Sequence, residues 1–291
     1  EFQWSRSLVT LLLQYSPSLI GKLPPRLKFQ FLFSQLWYPL FALFAALMFA
    51  MPIIALLRGE NFVAVTYPVF LAHSAPLSII LIVLAYRWRA GGTFRPVDAK
   101  VLSWEAALFL LARWPWALAG CAAAVRDWLT GSFVDFRVTP KGTSEVDALP
   151  MRVLAPYGVL SLASILPVLA VADAGETRGF YLFAIINATL YAVLLLVIVA
   201  QHARENLVRV WGRLYRPTLT ATLLALLVLP GVATVERGKD GLEALSWGAG
   251  NFRMFEESYS VAGAGMGSPG LVRTTFNPSW RPDNPSHNGL Q

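Results

Sequence analysis

Phe136-Arg137-Val138-Thr139-Pro140-Lys141-Gly142 is a polar, basic stretch set between long apolar segments. Lys141 is a mobile point charge and Thr139 a hydroxyl donor, a pair suited to holding phosphate oxygens. The Thr-Pro step disfavours helix at Thr139, and Gly142 frees the backbone after Lys141. A solvated connector between helices would have the same composition. A second set of chemistry-bearing residues, Gln3, Trp4 and Arg6, lies near the N-terminus. The ring of Trp4 can anchor a helix in a membrane interface.

Beyond these the chain offers little for catalysis. There is no nucleophile elbow, no Walker loop and no Asp-x-Asp pair for a divalent ion. Glu105, Asp127, Asp135, Glu145 and Asp147 stand singly, and His73, His202 and His287 are far apart, so no metal-ligand spacing exists. Cys121, the one cysteine, sits in an Ala-rich apolar run and reads as an inert buried thiol.

The elements that must position the two polar sets belong to a membrane. The 291 residues are 56% hydrophobic and only 14% charged, against roughly 25% charged in soluble domains. The net charge of +7 fits cytoplasmic loops facing anionic lipid. The basic residues sit beside apolar spans and not on a soluble face, which argues against nucleic acid as a partner. The chain opens on Glu1 without a signal peptide and closes without completing an element, so it is expected to be part of a longer protein.

The expected fold is an all-α polytopic membrane protein with four to five transmembrane helices, interfacial amphipathic helices and a short irregular or β-prone tail. Residues 1–34 read as interfacial helices, the first ended by Pro17. Residues 35–100 form a transmembrane hairpin (spans 35–57 and 64–86) and a cytoplasmic loop basic in Arg87, Arg89, Arg95 and Lys100. Residues 101–150 hold a helix and the polar loop. Arg113 at the centre of that helix costs roughly 2.5–3.5 kcal/mol in lipid, and Trp114 and Trp116 beside it favour the headgroup region, so this helix is expected to lie in the interface and not to cross. Residues 151–216 form a second hairpin (spans 153–172 and 179–200) and a basic cytoplasmic segment. Residues 217–235 are a fifth candidate span, interrupted by Pro230-Gly231. The tail, 236–291, would then lie outside the cell.

In this order the two polar sets resemble the membrane half of the processive family 2 glycosyltransferases, the cellulose synthase and hyaluronan synthase type. There a Gln-x-x-Arg-Trp motif on an interfacial helix precedes the spans, and a Phe-x-Val-Thr-x-Lys gating loop follows a later interfacial helix. The resemblance covers roughly residues 1–216. It implies that Phe136, Val138, Thr139 and Lys141 belong to a loop that closes over a bound nucleotide diphosphate. It also implies that Gln3, Trp4 and Arg6 belong to the acceptor site. Two registers are open for the first motif. With Trp4 as the motif's Trp, Gln3 replaces its Arg; with Gln3 as the leading Gln, Arg6 fits and Ser7 replaces the Trp.

The resemblance implies a hexosyltransferase that moves sugar from a UDP-sugar to a growing glycan and passes the polymer through the plasma (inner) membrane. Accessory subunits are possible partners beside lipid. A divalent metal, Mg or Mn, and the catalytic carboxylate would sit on a domain outside this chain, so the chain alone is expected to be inactive. The competing reading is a membrane transporter or scaffold, which would place polar residues inside the spans. His73 and Asn187 are the few that qualify.

Overall fold

The computed structural model describes residues 1–63, 65–131, 151–205, 217–247, 252–260 and 271–280. The loop at 136–142 lies outside them. The described chain is overwhelmingly helical, and five helices are long and apolar enough to cross a membrane: Pro25–Arg58, Tyr67–Ala90, Trp104–Thr130, Met151–Ala170 and Gly179–Glu205. It is an all-α polytopic membrane fold.

The chain begins with α1 (Phe2–Thr10), which runs into a π-helical turn, Leu11–Tyr15, and α2 (Ser16–Leu19). Pro17 therefore does not end the first helix. A proline lacks the N–H for the usual bond, and the wider π turn just before it lets the helical path continue. Ser16 Oγ then donates to Gln35 Oε1 at 2.7 Å and ties this segment to the next helix.

That helix, α3 (Pro25–Arg58), is continuous, so the expected break between a short interfacial helix and a span is absent. Pro25 sits in the first turn, where its missing N–H costs nothing, and no breaker intervenes before Pro39. Pro39 and Pro52 are accommodated inside it, as in many membrane helices. Gly59, at φ +64°, ends it with a bond to Ala55 O.

Next come α4 (Tyr67–Ala90), α5 (Trp104–Thr130), α6 (Met151–Ala170), α7 (Gly179–Glu205) and α8 (Pro217–Ser246). The last extends well past the apolar stretch 217–235. Pro230 is buried within it without ending it, and Thr234 Oγ1 donates to Pro230 O at 2.7 Å. Two strands, β1 (Phe252–Ser260) and β2 (Leu271–Trp280), pair antiparallel from Phe252↔Trp280 to Ser260↔Leu271, with an irregularity between Arg253 and Phe255. The tail is thus β-structured where it is described.

Among the described residues the main core of the bundle has two tiers, beside a small cluster between α1 and α5. One gathers Trp114, Leu154, Tyr157, Tyr191, Leu195 and Leu226, from α5, α6, α7 and α8. The other gathers Leu56, Ile165, Val168, Tyr181, Ala184 and Ala233, from α3, α6, α7 and α8. The C-terminal end of α3, the α6–α7 turn and the later part of α8 therefore share one end of the bundle. Tyr67, at the start of α4, packs edge-on against Phe183 at the same end. Helix α5 supplies no buried residue to that second tier.

Candidate functional site

Helix α1 carries Gln3, Trp4 and Arg6, and it lies against α5. The contact is possible because α5 presents small residues there. A Cβ at Gly120 would collide with Ser5 Oγ and Phe2 O and stand 3.2 Å from Arg6 N. Val9 fills the next space, against Cys121 and Ala124.

Two ion pairs close the contact. Arg6 donates through Nε and Nη2 to Asp127 Oδ2, at 2.7 and 2.6 Å. The Asp127 side chain is only 3% exposed, and Arg126 Nη2 reaches its other oxygen at 3.2 Å. Arg113 donates through Nε and Nη2 to Glu1 Oε2, at 3.2 and 3.0 Å. Its guanidinium also stands over the rings of Tyr38, Phe41 and Phe109 at 5.3–5.7 Å. Arg113 is therefore not a bare charge in lipid: α1 and α3 cover it. Trp114 and Trp116 likewise serve the interior. Trp114 Nε1 donates to Tyr191 OH, and Trp116 Nε1 to Tyr157 OH, which in turn donates to Ala112 O. Trp104 and Trp128, near the helix ends, are exposed.

The sequence-predicted residues divide. Trp4 is 64% exposed, so its indole face is open to a ligand. Arg6 is committed to Asp127, which makes it a positioning group for α1. Gln3 Oε1 is buried and has no hydrogen-bond partner among the described residues. Phe136, Val138, Thr139 and Lys141 lie outside the described residues. Gly131, at φ +65°, ends α5 one turn beyond Asp127.

Where α1, α5 and α6 meet, a cleft of about 360 Å³ is lined by Glu1, Phe2, Phe109, Ala112, Arg113, Trp116, Val153 and Tyr157. Rings and one charged pair make a surface for a molecule with both apolar faces and hydroxyls. Among the described residues, no three His, Cys, Asp or Glu side chains converge to hold a metal ion.

Asp127 and Gly120 were not singled out from sequence as parts of a site. The signal that marks them is a stripe of small residues, Ala117, Gly120, Cys121 and Ala124, ending on Asp127 at helical spacing, all of them buried. Comparison with family models, curated proteins and solved structures finds no match to this chain.

Proposed function

We propose that this chain is the membrane portion of a processive polysaccharide synthase of the family 2 glycosyltransferase type. It would guide a glycan, extended from a UDP-sugar, through the plasma membrane. The observation that carries the reading is the Arg6–Asp127 pair. It joins the helix that bears the exposed Trp4 to the helix that leads into the 136–142 loop. In such a synthase these two motifs act on the same acceptor and donor, and a rigid link between their helices serves that purpose.

In this reading α5 stays in the cytoplasmic half of the membrane. It packs in the first tier and against α1 and supplies nothing to the tier beside the α6–α7 turn, and α6 starts at the end of the bundle away from that turn. Lys141 and Thr139 then lie on the cytoplasmic side, where a nucleotide sugar is available. Trp4 offers an apolar face to the acceptor sugar, and Arg6 fixes that face through Asp127. The divalent metal and the general base would come from the catalytic domain outside this chain.

The test uses the full-length protein in membranes, with radiolabelled UDP-glucose and UDP-N-acetylglucosamine, comparing wild type with Lys141→Ala. Polymer that forms in wild type and collapses in the variant supports the reading. Polymer indifferent to Lys141 keeps the synthase and removes the loop's role. No incorporation from either donor, in membranes that hold the folded protein, counts against the synthase and favours a transporter.

A further inference from the structure

One face of α3 carries a ladder of rings that is exposed at Phe29, Phe33 and Trp37 and is closed at its inner end by Phe41, which packs under Arg113 and against the core. Phe29, Phe33, Trp37 and Phe41 stand four residues apart, and successive ring centroids are 6.0, 6.0 and 6.3 Å apart. Phe29, Phe33 and Trp37 are about half exposed or more, and so is Phe44 beyond them. At 100° per residue, Arg26 falls at the middle of the same face, at its N-terminal foot. Arg26 is exposed and makes no ion pair among the described residues, and Lys22 is exposed just before it. Glu1 is the only acidic residue before Glu60, so nothing nearby in sequence neutralises this foot.

We propose that this face seats an anionic phospholipid, with its phosphate on Arg26 and Lys22 and an acyl chain along the ring ladder. The dimensions agree. From Arg26 to Trp37 the helix rises about 16 Å, close to half of a hydrocarbon core of roughly 30 Å, the depth of one leaflet. A phosphate at the foot meets unpaired positive charge, and the chain meets flat apolar rings instead of branched side chains. A zwitterionic lipid such as phosphatidylcholine also carries a phosphate, but its choline cation offsets the attraction to the foot, so it gains less from the first contact. The site is independent of what the chain catalyses.

The test places bimane on Gln30→Cys, an exposed position on this face, in full-length protein held in nanodiscs. The Gln30 side chain makes no hydrogen bond among the described residues, its backbone carbonyl accepting from Ser34 Oγ, and the native Cys121 is buried. Quenching is compared between doxyl-labelled phosphatidylglycerol and doxyl-labelled phosphatidylcholine, each diluted in unlabelled phosphatidylcholine. Phosphatidylglycerol is expected to quench at about one twenty-fifth the mole fraction, a preference that Arg26→Gln lowers about fivefold and Arg26→Lys keeps, since each of the two basic groups near an anionic surface is worth about 1 kcal/mol. Equal quenching by the two lipids in otherwise unaltered protein would overturn the proposal. So would a preference untouched by Arg26→Gln. Quenching by neither lipid would mean that a protein helix covers the face, which also overturns it.

Discussion

Arg6 Nη2 stands 2.6 Å from Asp127 Oδ2, and the pair joins α1 to α5 across 121 positions of sequence. Both members are largely withdrawn from solvent, with side chains 17% and 3% exposed. Taking one partner away leaves the other charge buried and unpaired, which is the costly way to break such a contact. Asp127→Ala should therefore destabilise the folded protein by about 3 kcal/mol, toward the lower end for a buried pair because Arg6 keeps some solvent. Thermal unfolding in nanodiscs measures this. The double exchange Arg6→Asp with Asp127→Arg should recover part of the loss; recovery of nothing would mean that the packing, not the charge, matters there.

Gly120 lies where α1 comes close against α5, leaving no room for a Cβ. Alanine favours helix over glycine by about 1 kcal/mol, so at an open site Gly120→Ala would stabilise. Here the new Cβ meets Ser5 Oγ and the Phe2 backbone carbonyl, and backbone yields poorly. The expected result is a net loss of about 1–3 kcal/mol, read as a lower melting temperature. Ser5→Ala in the same chain should relieve some of it.

Trp114 is buried and gives its indole N–H to Tyr191 OH. Tyr191→Phe keeps the ring packing against Phe49 and Tyr157 and leaves that N–H unpartnered. A cost of about 1–3 kcal/mol is expected. Unfolding midpoints of the two proteins in the same lipid settle it, and an unchanged midpoint would show that the bond contributes nothing.

Trp4 is exposed, so removing its ring should leave stability nearly unchanged, and under the proposed synthase function it should weaken acceptor binding. Trp4→Ala should lower the polymer elongation rate up to about tenfold, in line with one aromatic contact, and Trp4→Phe should retain most of it. The measurement is product length at fixed time with stability checked in parallel. Equal elongation by wild type and Trp4→Ala would return Trp4 to the role of an interfacial anchor.

Asp173 caps the turn between α6 and α7. The Gly175 backbone N–H at 3.0 Å and then Arg178 Nη2 at 3.3 Å hold its carboxyl below the usual carboxylate range. A lowered folded value means the contribution is present above the ordinary aspartate range near 3.9 and is lost as pH falls through the folded value. Exchange protection of the Gly175 amide should therefore hold at neutral pH and fade under acid. Asp173→Asn should make that protection insensitive to pH.

Composition and apolar run length determined that this is a helical membrane protein, because about 20 apolar residues have few other uses. They also placed a helix on each of the apolar runs 35–57, 64–86, 153–172 and 179–200, since lipid imposes helix on any such segment, although the first of these helices begins ten residues earlier, at Pro25. Helix ends were less legible. Pro17 and Pro230 read as breaks, yet a π turn and tertiary packing carry the helix through them. The roles of Arg113, Trp114 and Trp116 depended on neighbours distant in sequence. An arginine in an apolar run is costly only if it faces lipid, and Glu1, Tyr38 and Phe41 prevent that. Trp4 and Arg6 were visible as residue types. That one is open and the other bound to Asp127 was decided by the packing of α1 on α5, a long-range contact that local spacing does not encode.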